Sequence, residues 1–120
     1  MTQVAREQAA VAIEGGGVEL RTAEVGDMTV AFASVPKGTD FAPALRGLPD
    51  DSCPCPHWGY MLKGRLRVRT PAGDEAVYEA GSAFYWAPGH APVALEDSEW
   101  IDFSPTESFN EVIAHIQANG

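Results

Sequence analysis

The chain contains 120 residues, of which 45 % are apolar, and it has a formal net charge of −9 at pH 7. This length and apolar content predict one globular domain with its own core, and they exclude a disordered chain. The acidic charge argues against nucleic acid and anionic membranes as partners, because both are bound through basic surfaces. We find neither the basic and then apolar N-terminal segment of a signal peptide nor the apolar run of about 18 residues of a membrane span. We therefore expect a cytoplasmic protein.

Residues 1–17 are predicted to form an N-terminal arm or short helix, which three consecutive glycines terminate. From residue 18 the pattern changes to short apolar runs between turn residues, at a spacing typical of a sandwich or barrel. We therefore predict an all-β fold, either a sandwich or a barrel, over residues 18–104. Its predicted strands cover residues 18–21, 28–35, 65–69, 75–79, 83–86, 91–95 and 100–103.

A hairpin with a definite register is predicted over residues 65–79. Charged and apolar residues alternate from Arg65 to Arg69, and the return strand ends at Glu79 after the turn at residues 70–74. Pairing Arg69 with Glu75 places Arg65 opposite Glu79, so opposite charges face each other across the strands. The arginines could bind an anion, but a solvated face matched to acidic neighbours explains them better.

The segment 105–120 is predicted to form a short amphipathic helix. Ser104 with Glu107 three residues later resembles a capping box, and Pro105 occupies the first helical position. Apolar residues then follow at helical spacing, at Phe109, Val112, Ile113 and Ile116.

Three candidate metal donors precede an apolar run that ends at Gly64. Cys53, Cys55 and His57 alternate with prolines, and in an extended strand alternate side chains point to the same face. Two thiols and an imidazole would then converge on one side of a sheet. The alternative is a pair of small buried residues, since free cysteine is among the most buried residue types.

The glycine, proline and apolar pattern resembles that of the small single-domain cupins over roughly residues 27–104. The matching segments are 57–64, the Arg-Leu-Arg-Val strand after them, and Ala80-Gly81 through Pro88-Gly89-His90. Cupins carry a first motif of two histidines, a glutamate and a glycine, and a second motif that leads from a glycine to a further histidine. The resemblance implies a double-sheet β-barrel of the jelly-roll kind, a small internal pocket for a small-molecule ligand, and a homodimer.

The donors of this chain depart from that family pattern. Counting back from Gly64 puts His57 at the place of the glutamate, and Cys53, or else Asp51, at the place of the paired histidines. Aligning the second motif on its Pro-Gly turn puts Pro92 at the place of the last histidine, with His90 two residues earlier on the same strand face. The candidate metal ligands of this chain are therefore Cys53, Cys55, His57 and His90.

Thiolate ligands favour zinc over oxygen-activating iron, so the expected cofactor is a divalent metal, zinc above others. We expect a metal-binding cupin-type protein with a small internal pocket. Four protein donors would saturate tetrahedral zinc and make the site structural. A site with only three protein donors would instead favour the alternative function. This is a metal-dependent enzyme (dioxygenase, isomerase or cyclase) that acts on a small organic substrate. A third alternative is a metal-free relative that keeps only the scaffold.

Overall fold

Nine strands and two helices organise the chain in a computed structural model, which describes residues 1–119. The strands are β1 (Ala10–Gly15), β2 (Val18–Val25), β3 (Met28–Val35), β4 (His57–Lys63), β5 (Arg65–Arg69), β6 (Glu75–Glu79), β7 (Ala83–Trp86), β8 (Ala91–Ala94) and β9 (Ser98–Pro105). The helices are α1 (Ala42–Leu45) and α2 (Thr106–Asn119), and short 3₁₀ helices cover Arg6–Gln8 and Pro49–Asp51.

The strands form two sheets in which every pairing of neighbouring strands is antiparallel. One sheet has the order β1-β2-β3-β9-β4-β7 and the other has the order β6-β5-β8. Buried side chains from both sheets form one core cluster, in which Met61 of β4 and Leu66 of β5 are fully buried. This arrangement confirms the predicted double-sheet β-barrel.

The N-terminal segment differs from the predicted arm or helix. Helical structure there is limited to one 3₁₀ turn at Arg6–Gln8, and β1 pairs with β2 through a turn at Gly16 and Gly17. Both glycines have positive φ, at 59° and 86°, which glycine adopts without steric cost. Strand pairing therefore overrides the weak helical preference of the alanines, and the sheet begins at Ala10 rather than at residue 18.

The predicted hairpin and terminal helix are both present, but the helix begins at Thr106, because Pro105 is the last residue of β9. Arg69 pairs with Glu75 and Arg65 with Glu79, as the charge pattern predicted. α2 contributes Phe109 and Val112 to a second cluster of buried residues. Gly120, the last residue of the predicted helix, lies outside the described residues. Within residues 1–119, no helix is long and apolar enough to cross a membrane.

The second cluster contains both cysteines of the predicted donor set. It joins them to Leu45 of α1, to Phe109 and Val112 of α2, and to Ala31 of β3. The two helices therefore bury the segment that precedes β4, and this burial holds the cysteines inside the protein.

Gly64 is the residue at which the chain passes from β4 in one sheet to β5 in the other. Its φ is 80°, and a Cβ atom there would overlap the carbonyl oxygen of Asp97 and the side chain of Ser98. Ser98 is itself 1 % exposed, so it has little room to move. The sheet-to-sheet connection therefore requires glycine for two reasons, a left-handed backbone and a close approach.

We predict that Gly64→Ala lowers the free energy of unfolding by about 3 kcal/mol or more, because strain in φ and a backbone clash add together. Gly73→Ala is the matched control, since Gly73 has a φ of 92° but no atom within 4 Å of the position that a Cβ would take. It should cost about 1–2 kcal/mol, from the backbone conformation alone. Urea unfolding curves measure both, and equal costs would contradict the proposed clash.

Candidate metal centre

Cys53, His57 and His90 form a buried group of three metal-ligating side chains. One ligand atom from each lies within 4.8 Å of the others, and the three residues are 5 %, 8 % and 3 % exposed. His57 is the first residue of β4, and His90 immediately precedes β8. Backbone hydrogen bonds hold the remaining donor in place, since Cys53 N donates to His90 O at 2.9 Å and Gly89 N donates to Cys53 O at 2.7 Å.

The separation of the first two donors matches the geometry of tetrahedral zinc. Cys53 Sγ lies 3.5 Å from His57 Nε2. Zinc–sulfur and zinc–nitrogen bonds of about 2.3 and 2.05 Å at a tetrahedral angle place their donors about 3.6 Å apart. A cation could therefore bind between this thiol and this imidazole with little movement of either.

Hydrogen bonds orient both imidazoles so that Nε2 is left as the ligand atom. His90 Nδ1 donates to Ala87 O at 2.8 Å, because a carbonyl oxygen can only accept. The hydroxyl of Ser104 donates to Asp102 Oδ1 at 3.3 Å, so it accepts from His57 Nδ1 at 2.5 Å. Such an acceptor on the second ring nitrogen is what fixes the tautomer and orientation of histidine ligands in metal sites.

Asp102 supplies the negative charge behind His57. Its Oδ1 lies 3.7 Å from His57 Nδ1, and Trp100 Nε1 donates to its Oδ2 at 3.0 Å. Burial raises the pKa of Asp102 to about 6, although hydrogen bonds from Trp100 and Ser104 act in the opposite direction. Sequence reasoning did not identify Asp102 or Ser104. Their alternation with Trp100 could have indicated them, because alternate residues of a strand point to the same face, and Trp100 is expected to point inward.

Burial favours the neutral form of each of the three donors. It lowers the pKa of His57 to about 4, and it lowers the pKa of His90 to about 4, with a further contribution from the neighbouring His57. Burial also raises the pKa of Cys53 to about 12. The imidazoles are thus already in the form that binds metal, whereas the thiol would lose its proton when a cation binds.

The sulfur of Cys55 is not among the three ligand atoms that lie within 4.8 Å of one another. Its Sγ lies 3.3 Å from Ser108 Oγ of α2 and 3.5 Å from Pro56 O, and the residue is fully buried. The prediction of a common face assumed an extended strand from residue 53, but β4 begins only at His57. Pro54 and Pro56 cannot donate to a strand ladder, so the strict alternation of side chains does not hold there.

A cavity of about 290 Å³ adjoins the three donors. Its wall is mainly apolar and includes side chains of β2, β3, α1 and α2, while Cys53, His57, His90 and Asp102 also line it. The internal pocket implied by the family resemblance is therefore present, and the candidate metal position faces it.

Solved structures give the comparison with known proteins. The chain is similar to KdgF from Halomonas sp., with a TM-score of 0.63 and 24 % identity over 88 % of this chain and 94 % of that chain. It is similar to an RmlC-like cupin from Shewanella frigidimarina, with a TM-score of 0.60 and 21 % identity over 85 % and 88 % of the two chains. No protein-family model matches the sequence, and no curated protein matches it significantly.

A third similar structure is the oxalate decarboxylase of Bacillus subtilis, which has Mn(II) centers. The TM-score is 0.61 at 20 % identity, over 85 % of this chain but only 28 % of that chain. With two antiparallel sheets and these neighbours, the protein is a small cupin-fold domain. Its candidate metal-binding group consists of one cysteine and two histidines.

Proposed function

We propose that this cupin-fold domain binds one zinc ion through Cys53 Sγ, His57 Nε2 and His90 Nε2, and binds a small molecule in the adjoining cavity. The observation that carries the proposal is the convergence of three buried ligand atoms within 4.8 Å at the wall of that cavity. The hydrogen bonds on both Nδ1 atoms support it, because they leave each Nε2 free to bind a metal.

The donor types support zinc as the metal. A thiolate with two imidazoles is a donor set that suits zinc, whereas manganese and magnesium prefer oxygen donors. Both cysteines are free thiols, which fits a reducing compartment, and we extend the proposal to a cytoplasmic location on that ground.

Three protein donors leave one position of tetrahedral zinc for an exogenous ligand. Cys55 stands outside the proposed ligand set, because its sulfur contacts Ser108 Oγ at 3.3 Å. This supports a second candidate function, a metal-dependent enzyme of the cupin type in which zinc acts as a Lewis acid on a small organic substrate. Zinc has no redox chemistry, so isomerase or cyclase chemistry fits this donor set better than dioxygenase chemistry.

We predict about one zinc per chain in protein purified without added metal. Cys53→Ser should remove most of this zinc, because serine replaces a thiolate ligand by a weak one. Cys55→Ser is the matched control and should retain it, since Cys55 is equally buried but contacts Ser108 instead. Elemental analysis with a chelator competition gives content and affinity.

We also expect Asp102→Asn to lower the affinity for zinc by roughly 10–100-fold, because this carboxylate acts on His57 through Ser104.

Equal zinc loss in the two cysteine variants, Cys53→Ser and Cys55→Ser, would contradict the three-donor set. Unchanged zinc in Cys53→Ser would remove the thiol from it.

We predict that the fourth coordination position is open to ligands from the cavity. Replacing zinc by cobalt(II) makes the site visible by its ligand-field absorption. Added imidazole should shift this spectrum in a saturable way, because it would replace a bound solvent molecule. A tetrahedral spectrum that imidazole does not change would show four protein donors, and it would favour a structural metal over catalysis.

We also propose that the protein is a homodimer formed through the outer face of the six-stranded sheet. Four aromatic side chains there are 42–51 % exposed, namely Trp58, Tyr60, Tyr85 and Phe103. Trp58 pairs with both Tyr85 and Phe103 across neighbouring strands, so the rings form one patch. The row that they share across three strands carries only uncharged side chains, at Phe103, Trp58 and Tyr85.

The patch supplies about half of the area that a stable interface with a second copy of this chain would bury. Aromatic side chains present about 150–250 Å² each, so four half-exposed rings offer roughly 300–500 Å² of the about 800 Å² per partner that a stable interface buries. Each copy has a net charge of −9, and the aromatic side chains of the patch bring none of this charge into the contact.

We predict that the protein sediments at twice its chain mass of 12.8 kDa. Tyr85→Lys should shift it to the monomer, because two buried ammonium groups would face an apolar patch. Val77→Lys is the matched control, since Val77 is 50 % exposed but lies on β6 of the other sheet. Analytical ultracentrifugation distinguishes the species, and a monomeric wild type at micromolar concentrations would refute the dimer.

A further inference from the structure

The charges around the cavity are the first indication of what it binds. Within residues 1–119, no lysine or arginine lines it, whereas Glu14, Glu19, Asp40 and Asp102 do. Of the acidic residues, Glu19 contacts Arg21 at 2.9 Å and Arg6 at 3.0 Å, so both of these arginines already bind a carboxylate. An anionic ligand would therefore meet acidic side chains and no lysine or arginine in the described cavity wall.

The metal end of the cavity likewise offers no lysine or arginine. Cys53 and Asp102 line it together with His57 and His90, and Asp102 Oδ1 lies 3.7 Å from His57 Nδ1. An anionic ligand there would lie close to a carboxyl group rather than to a basic side chain.

Trp86 is the second indication, because it carries a buried hydrogen-bond donor without a partner. Its side chain lines the cavity and is 3 % exposed, and within the described residues its Nε1–H finds no acceptor. The ring packs against His90 and His57, at centroid distances of 5.5 and 6.1 Å. An unsatisfied buried donor is costly, so an acceptor is expected beside the proposed metal position.

We propose that the cavity takes a compact, mainly apolar molecule that carries no negative charge and presents one hydrogen-bond acceptor, such as a ketone oxygen, to Trp86 Nε1. The size of the cavity, about 290 Å³, fits a bicyclic aromatic compound, since an apolar cavity of about 150 Å³ binds benzene. The inference rests on the proposed function for the metal beside Trp86, and it names the ligand class of that site.

Three probes of one shape test the proposal: 2-acetylnaphthalene, 2-ethylnaphthalene and 2-naphthoate. Each is titrated by ligand-observed NMR into the wild-type protein, both zinc-loaded and after treatment with a chelator. We expect 2-acetylnaphthalene to bind about 3–10-fold more tightly than 2-ethylnaphthalene, which lacks the acceptor. We expect 2-naphthoate to bind at least about tenfold more weakly than the ketone, because its charge would be buried without a partner.

Two variants assign the binding to this cavity and to this donor. Trp86→Phe should abolish the preference for the ketone over the hydrocarbon while leaving hydrocarbon binding within about twofold. Ile113→Trp, in the cavity wall, should abolish binding of both, whereas Ala114→Trp, exposed on the same helix, should not. Unfolding curves confirm that each variant is folded.

The outcomes separate this proposal from the proposed function. Ketone selectivity in a protein that binds no zinc would refute the metal site and support the ligand class. Zinc binding together with equal or tighter binding of 2-naphthoate would refute the ligand class and leave the metal site standing. Failure of all three probes, or binding unaffected by Ile113→Trp, would also overturn the inference.

Discussion

The antiparallel pairing of β4 with β9 is the constraint on which the candidate site depends. Trp58 pairs with Phe103 and Gly59 with Asp102, so His57 lies next to Ser104 on the inner face. Gly59 permits this pairing, because a Cβ there would overlap the carbonyl oxygen of Ile101 and the ring of Phe84. Side chains alternate between faces, so a slip of one residue would turn His57 outward and break its link to Asp102 through Ser104. The same register places Trp58 and Phe103 side by side on the outer face.

Local patterns predicted those parts of the fold that local contacts determine. The hairpin register followed from Arg65 and Glu79 with their neighbours, because opposite charges pair directly across two adjacent strands. β1 was not predicted, because its alanines favour a helix weakly and nothing nearby in sequence contradicts one. Its strand conformation depends on pairing with β2 across the turn at Gly16 and Gly17. The length of β9 likewise depends on two partner strands, β3 and β4, that are distant in sequence.

Only those residues of the candidate site could be predicted that stand out by residue type or by their place in the family pattern. Cys53, His57 and His90 were identifiable because thiols and imidazoles are unusual near a strand start and a Pro-Gly turn. Asp102 and Ser104 were not, because a carboxylate and a hydroxyl on a late strand match no ligand spacing. Their role depends on the β4–β9 pairing, which brings His57 against Ser104, 47 positions later in the sequence.

The buried polar groups around Cys53, His57 and His90 are better explained as parts of one site than as separate core residues. Desolvation shifts the pKa of Cys53 to about 12 and the pKa of Asp102 to about 6, and each shift reflects the cost of charging that group in this environment. An apolar core of the same volume would carry no such cost. A divalent cation held by Cys53, His57 and His90 would offset it, because it would stabilise the thiolate directly and the carboxylate through His57 and Ser104. Among the buried side-chain nitrogen and oxygen atoms of residues 1–119, Trp86 Nε1 would then remain without a partner, and it is the group that a ligand in the cavity would complete.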